Sequence, residues 1–158
     1  CTPDGDLLLS RFDPTDTEFE AKVRRSFNQQ SVMQTLGARL TSVEPGEVVI
    51  EMPYRVDFTQ QDGVIHGGIV TSILDSACGY AAFSLSSPDT AILTVEYKVN
   101  FLDTVKGEFL VARGQVVRSG ATVTVCKGDV ISYEGSYEKL VATMLMTAMS
   151  MPNRPDLV

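Results

Sequence analysis

The sequence predicts an α+β fold in which an antiparallel sheet wraps around one long buried helix. Residues 67–87 are apolar on almost every side of a helix, as a helix enclosed within a domain would be. The segments before and after them alternate apolar and polar residues with the period of two that strands show. Short turns separate the later strands, which requires antiparallel neighbours. A helix that is hydrophobic nearly all round needs a sheet curved around it.

The N-terminal part is predicted to contain a loose leader and two helices. Two prolines and a glycine among the first 14 residues favour the loose leader. Asp16 or Thr17 can cap a helix that runs to about Gln30, and its charged faces place that helix on the surface. A second short helix begins at Ser31 and ends before Gly37, where glycine is a natural stop.

The strands follow in two groups. Residues 39–43 and 47–54 are predicted to pair as a hairpin, and residues 55–65 form a loop that leads to the apolar helix. Four further strands are predicted to form a meander, at 93–101, 108–118, 122–132 and 138–149. The first of them alternates cleanly, which places Thr94 on its polar face with Glu96.

Length and charge narrow the possible functions. At 158 residues the chain suits one domain, which we expect over 1–158, with a leader and surface helix at 1–30 and a core at 31–150. No apolar run approaches the roughly 20 residues that span a bilayer, and the N-terminus lacks the pattern of a secretory signal. A net charge of −7 disfavours nucleic acid and anionic membrane as partners.

The three cysteines show no metal-ligand spacing. Cys78 falls on the apolar helix and Cys126 in a Val-rich strand, so buried free thiols are predicted. Free thiols suit a reducing compartment, and we expect a cytoplasmic location.

Asp75 is the first candidate for chemistry, because it lies two turns inside the apolar helix. On a helical wheel it shares a narrow side with small residues (Gly68, Thr71, Gly79 and Ala82), so something comes close to the helix there. Burial raises the pKa of a carboxylate, which then serves as a general base or a nucleophile. Alternatively, Asp75 bonds to backbone or to a threonine and fixes the packing.

The start of the same helix is the second candidate. The backbone N–H groups of Gly67 and Gly68 have no partners within the helix and allow close approach of a substrate carbonyl, as in an oxyanion hole. Alternatively, the two glycines only permit a tight turn. His66, the single histidine, is expected to hold this turn through its ring or to be purely structural. One histidine without a supporting cluster disfavours a metal.

These residues resemble those of the hotdog-fold acyl-CoA thioesterases, in the branch of the phenylacetate-pathway enzymes and the small mitochondrial thioesterase-superfamily proteins. The resemblance rests on His66-Gly67-Gly68, on Asp75 nine residues after the histidine, and on the strands that follow. It covers roughly residues 31–149. It implies the hotdog fold and hydrolysis of acyl-CoA to a free acid and CoA, with no metal or redox cofactor.

The resemblance also implies catalytic roles. The Gly67 N–H would polarise the thioester carbonyl, and Asp75 would attack that carbonyl or activate a water. Gln60 matches an Asn or Gln position that helps to place the thioester or the water. His66 would brace the turn, and Thr94 resembles a Ser or Thr position that assists the water.

Substrate binding and assembly are implied in the same way. Arg118-Ser119-Gly120 matches a strand turn where basic residues meet the CoA phosphates, although this chain has Ala121 where many relatives carry Lys or Arg. The family works as homodimers, often as dimers of dimers, in which each site uses the helix start of one subunit and the acid of the other. The strand at 93–101 is suited to pair edge to edge with a second copy.

Two other functions are compatible with the pattern. A hotdog hydratase or dehydratase would act on the carbons next to the thioester, but such enzymes usually space the catalytic pair differently. A non-catalytic acyl-CoA-binding module of the regulatory kind tends to lose the acid and to add a DNA-binding segment. The sequence does not indicate which acyl group is used, or whether acyl carrier protein replaces CoA.

Overall fold

A computed structural model describes residues 12–154 and shows one curved antiparallel sheet around a central helix. The helices are α1 (Phe19–Gln29), α2 (Ser31–Leu36) and α3 (Gly67–Phe83), with a short 3-10 helix at Val56–Phe58. The strands are β1 (Arg39–Glu44), β2 (Glu47–Pro53), β3 (Thr90–Phe101), β4 (Phe109–Ser119), β5 (Val123–Glu134) and β6 (Tyr137–Pro152). The predicted α+β hotdog fold is confirmed.

The central helix α3 is buried because its apolar residues meet the sheet on most sides. Its residues that are no more than 1% exposed lie at Val70, Ile73, Leu74, Ala77, Cys78 and Ala81. They pack with the inward-facing residues of β2, such as Ile50 and Met52, whose alternation the sequence predicted. Cys78 and Cys126 are buried free thiols, as expected, and burial raises the pKa of Cys126 to about 12.

Two strand glycines allow the sheet to approach α3 closely. A Cβ at Gly114 on β4 would overlap the backbone of Ala77 and Cys78. A Cβ at Gly128 on β5 would lie 2.6 Å from the Cys78 Sγ atom. The backbone of β4 therefore rests directly on the helix, with no side chain between them.

The predicted four-strand meander is wrong at its first strand. The sheet order is β1-β2-β4-β5-β6-β3, so β4, β5 and β6 form a meander but β3 pairs with β6. β4 pairs instead with β2. The connection at 102–108 crosses the end of the sheet, where the Val105 carbonyl accepts a hydrogen bond from the Ile65 N–H (3.1 Å). This arrangement leaves the long strand β3 at an edge of the sheet.

The expected regular alternation of β3 is interrupted. The pairing register with β6 shifts between Thr94 and Glu96, so Val95 forms a bulge. Thr94 pairs with the buried Ala148 and faces the helix, whereas Glu96 bonds to Thr147 on the opposite face. Thr94 therefore does not share a face with Glu96, contrary to the sequence prediction.

The helix α3 also ends earlier than the predicted residue 87. Its last residue is Phe83, after which the Ser84 hydroxyl donates to the Ala81 carbonyl (2.7 Å). The Ser86 hydroxyl donates to the Phe83 carbonyl (2.9 Å). Serine side chains that bond to nearby backbone carbonyls compete with continuation of a helix, which explains the early end.

The residues from Phe12 to the start of α1 make contacts that the predicted loose leader did not include. Residues 1–11 lie outside the described part, and Phe12 packs against the core. The helix α1 begins at Phe19 rather than next to Asp16. Asp16 Oδ1 accepts a hydrogen bond from the Glu18 N–H (2.9 Å), which lies before the helix.

Lys22 faces inward from α1, although the charged faces of this helix were expected to meet solvent. Lys22 is only 3% exposed, and its Nζ donates to the Ser86 carbonyl (2.6 Å). It also pairs with Asp16 (3.3 Å) and lies 4.7 Å from the centre of the Phe83 ring. Burial lowers the pKa of Lys22, and the bond to Asp16 partly offsets this. The contacts fasten α1 to the end of α3.

We expect Gly114→Ala to destabilise the fold by roughly 3 kcal/mol or more, because the new methyl group must push β4 away from the α3 backbone. Gly79→Ala is the matched control, since a Cβ at Gly79 would meet nothing within 4 Å. Chemical denaturation measures both. Equal stability of the two variants would contradict the close packing of β4 on α3.

Candidate active site

The start of α3 is shaped by His66. His66 has extended backbone (φ −62°, ψ 135°) and caps the helix, with its Nδ1 accepting a hydrogen bond from the Gly68 N–H (2.9 Å). The His66 N–H donates to the Phe58 carbonyl (2.9 Å). The ring therefore holds the glycine turn by a hydrogen bond, which is the contact that an orienting role requires.

The amide of Gly67 is the candidate donor to a substrate. Among the described residues, its N–H donates no hydrogen bond, as expected in the first turn of a helix. A Cβ at this position would lie 3.0 Å from the ring of Phe101 at the end of β3. A larger side chain here would therefore press on the Phe101 ring, and the free N–H of Gly67 is available to a carbonyl oxygen.

Gln60 lies in a tight loop just before this turn. The Gln60 N–H donates to the Val64 carbonyl (2.9 Å), and Thr59 forms a bridge with Ile65. The Tyr54 hydroxyl donates to the Gly63 carbonyl (2.8 Å) and fixes the loop from outside. The Gln60 side chain is exposed, close in sequence to the start of α3.

Asp75 and Thr94 meet across the space between α3 and β3. The Thr94 hydroxyl donates to Asp75 Oδ1 (2.8 Å). Burial raises the pKa of the Asp75 carboxyl above its usual value, and the hydrogen bond from Thr94 lowers it and offsets part of that rise. The structure thus brings these two predicted residues together.

The structure does not bring Asp75 and Gly67 together within one chain. The two residues are eight positions apart on α3 and therefore about 12 Å apart along the helix axis. A carbonyl undergoing attack must lie roughly 3 Å from both its donor and the attacking group. Within one chain, the Gly67 N–H and the Asp75 carboxylate are therefore too far apart to act on the same carbonyl.

A cavity of about 200 Å³ opens beside Asp75. Its lining comprises Ser26, Gln30, Asp75, Ser76, Gly79, Tyr80, Phe83, Ile92 and Thr94. Sequence analysis missed Ser26 and Gln30, which α1 and its end contribute. Both are polar residues beside an apolar helical stripe. Polar residues in that position occur equally on a helix face that meets solvent, so the sequence carried no signal that these two line a cavity.

The predicted CoA-binding turn lies at a second, neighbouring cavity. Ser119 and Gly120 line a space of about 290 Å³ near the end of α3, and Arg118 is exposed beside them. The Gly120 N–H donates to the Val123 carbonyl (3.0 Å), which closes the turn. Asp75 does not line this cavity, but Ile92 lines both cavities and so lies between them.

Metal-ligand clusters and membrane-spanning helices were also sought among the described residues. Within residues 12–154, no three His, Cys, Asp or Glu side chains cluster as a metal ion would need. In the same part of the chain, no helix has the length and apolar character to cross a membrane.

Comparisons with known proteins agree on one family. The model of the thioesterase superfamily matches residues 62–139. The crystal structure of a thioesterase family protein from Silicibacter pomeroyi is 48% identical to this chain, covers 85% of it and 98% of that protein, and superimposes with a TM-score of 0.84.

Two further relatives are more distant. A provisionally named esterase from Saccharolobus solfataricus is 38% identical over 95 residues, which are 60% of this chain and 66% of that protein. The 1,4-dihydroxy-2-naphthoyl-CoA hydrolase of Listeria monocytogenes is 23% identical over 94 residues, 60% of this chain and 76% of that protein. The family-model match, at residues 62–139, includes His66, Gly67, Asp75 and Thr94.

We expect Asp75→Asn to raise the melting temperature at about pH 8, and this gain to shrink towards about pH 4. The raised pKa means that the folded chain holds the Asp75 proton more tightly than the unfolded chain does. Ionisation of Asp75 therefore costs stability as the pH rises above the usual aspartate range, and the amide avoids this cost. Thermal unfolding followed by circular dichroism at several pH values measures the effect.

The exposed Asp89 provides the control, since Asp89→Asn removes the same charge outside the helix. A gain for Asp75→Asn that is independent of pH, or a gain no larger than that of the control, would contradict the burial argument.

Proposed function

Because the chain belongs to the thioesterase superfamily, we propose that it hydrolyses acyl-CoA thioesters to a free carboxylic acid and CoA. The observation that carries the proposal is the pair of Asp75 and Thr94 in the lining of a cavity, with a carboxylate that burial makes more basic. A hydrogen bond to one oxygen of Asp75 leaves the other oxygen free to act.

In the proposed reaction the Gly67 N–H binds the carbonyl oxygen, and the ionised Asp75 starts the attack. Asp75 either takes a proton from a water that adds to the carbonyl carbon, or adds to that carbon itself and forms an anhydride that water then hydrolyses. In both routes the C–S bond breaks, CoA leaves as the thiolate, and the thiolate receives a proton. Because a thioester is already activated, we propose no metal or redox cofactor.

We propose that the complete site forms between two copies of the chain. The separation of Gly67 from Asp75 within α3 supports this, because a second copy supplies the missing half. The strand β3 lies at a sheet edge and exposes Leu93, Val95 and Tyr97. Pairing of two β3 strands would cover these apolar side chains and remove an open edge. A homodimer, further paired as a dimer of dimers, is the assembly proposed.

We propose Gln60, His66 and Gly68 as positioning groups and the Arg118 turn as the contact with CoA phosphates. Because the chain carries a net charge of −7, a positive side chain is needed close to the anionic phosphates of CoA to hold them. The name of the Listeria relative indicates that at least one related protein acts on a CoA thioester. A cytoplasmic location fits a CoA substrate and buried free thiols.

We expect Asp75→Asn to lower kcat for acyl-CoA hydrolysis between about 10²-fold and 10⁴-fold, because the amide neither accepts a proton nor attacks a carbonyl. Release of free thiol from a panel of acyl-CoAs measures this, with acyl carrier protein thioesters included.

Thr94→Val is a companion variant. It removes the hydrogen bond that lowers the Asp75 pKa, so the acid limb of its pH–rate profile should move to higher pH.

Thr94→Ser keeps the hydroxyl and serves as the control, with an unmoved acid limb. Near-normal hydrolysis by Asp75→Asn would reject the mechanism. Saturable acyl-CoA binding without thiol release would favour the binding module, and a change in enoyl-CoA absorbance without thiol release would favour a hydratase.

A further inference from the structure

Residues 58–66 form a short hairpin that joins Gln60 to the start of α3. The Gln60 N–H donates to the Val64 carbonyl (2.9 Å), and Thr59 forms an antiparallel bridge with Ile65. The hairpin then runs directly into the residue that caps the helix. These contacts fix the distance between Gln60 and the glycine turn at the start of α3.

The Gln60 side chain depends on this backbone for its direction. It is exposed, and within residues 12–154 it makes no hydrogen bond to another group of the chain. A group that places a substrate or a water must be held to within about 0.5 Å of its working position. At Gln60 this precision has to come from the hairpin that carries the side chain.

The tip of the hairpin is fastened to the end of β2 by Tyr54. The Tyr54 hydroxyl donates to the Gly63 carbonyl (2.8 Å). The Tyr54 N–H donates to the Glu108 carbonyl (2.8 Å), and the Tyr54 ring packs against the core. Because both its backbone and its ring are anchored, Tyr54 presents its hydroxyl to the tip at a fixed place.

Gly63 links the tip to Tyr54 through a conformation that favours glycine. Its φ of +69° lies in the left-handed region, which glycine adopts without steric cost. The Gly63 N–H donates to the Gln60 carbonyl (3.1 Å). Gly63 therefore connects the two residues directly, since its N–H bonds to Gln60 and its carbonyl to Tyr54.

We propose that Tyr54 is a positioning residue for thioester hydrolysis, which acts through Gly63 to hold Gln60 at a fixed place beside the Gly67 amide. The inference rests on the proposed thioesterase function. Without the Tyr54 hydroxyl the tip is held less tightly, and the Gln60 amide spreads over several directions. Fewer of the bound substrate molecules then meet the amide in its working position, which lowers turnover rather than binding.

Tyr54→Phe keeps the ring and removes only the hydroxyl. For the acyl-CoA that the wild type hydrolyses fastest, it should lower kcat about threefold to tenfold, as the loss of one hydrogen bond allows, and leave KM within about twofold. In a Gln60→Ala background the same change should lower kcat by less than about twofold, because its effect passes through Gln60. Tyr137→Phe, at an exposed turn, is the control and should leave kcat unchanged.

Gly63→Ala tests the link from the side of the hairpin. Gly135→Ala is its matched control, because the two glycines have similar positive φ (+69° and +58°) and a Cβ at either would meet nothing within 4 Å. Both variants should therefore lower the melting temperature alike. Only Gly63→Ala should lower kcat, and in the Gln60→Ala background that loss should shrink to less than about twofold.

If thioesters are hydrolysed but Tyr54→Phe leaves kcat unchanged, or lowers it equally with and without Gln60, the inference is overturned and the proposed function stands. An equal loss of kcat in Gly63→Ala and Gly135→Ala would also overturn it, because backbone strain alone would then explain the effect. If the wild type releases no thiol from any acyl-CoA or acyl carrier protein thioester, the proposed function fails and the positioning role fails with it.

Discussion

The enclosure of α3 by the sheet is the constraint on which the rest of the structure depends. Gly114 and Gly128 let β4 and β5 contact the helix directly, so the helix has no solvent on those sides. The face that carries Asp75 and Gly79 is different, because it meets the cavity between α1 and β3. A carboxylate inside this helix is tolerable only on that face, and its burial there raises the pKa.

The bulge at Val95 connects the edge strand to this carboxylate. A strand without the bulge would place Thr94 on the same face as Glu96, away from α3. The one-residue shift turns the Thr94 hydroxyl towards Asp75, where it donates the hydrogen bond that partly offsets the cost of burial. A local irregularity in β3 therefore acts on the basicity of the proposed catalytic group.

The N-terminal helix has two roles that its amphipathic pattern did not show. Lys22 fastens it to the end of α3 through Ser86 and Phe83. One turn later, Ser26 reaches the cavity next to Tyr80. Anchoring at Lys22 thus positions Ser26 in the lining of the cavity beside Asp75, so the fold and the shape of the candidate site depend on the same helix.

The sequence predicted the features that depend on residues close together along the chain. The apolar segment after His66, the hairpin before it and the acid at Asp75 all follow from periodicity and spacing. The partner of β3 did not, because the residues at 102–108 suit a turn between neighbouring strands as well as a crossing to the far edge. The bulge at Val95 was hidden by regular alternation, since a shift in register leaves the residue types unchanged.

In the proposed dimer, each site combines Gly67 of one chain with Asp75 of another. Co-expression of Asp75→Asn and Gly67→Leu chains with two different tags, followed by purification on both tags, isolates mixed dimers. Neither variant alone should be active, because the new side chain at Gly67 meets Phe101 and blocks the amide. Mixed dimers should regain about half of the wild-type rate, since one of their two sites is intact. Mixed dimers as inactive as the parent variants would contradict it.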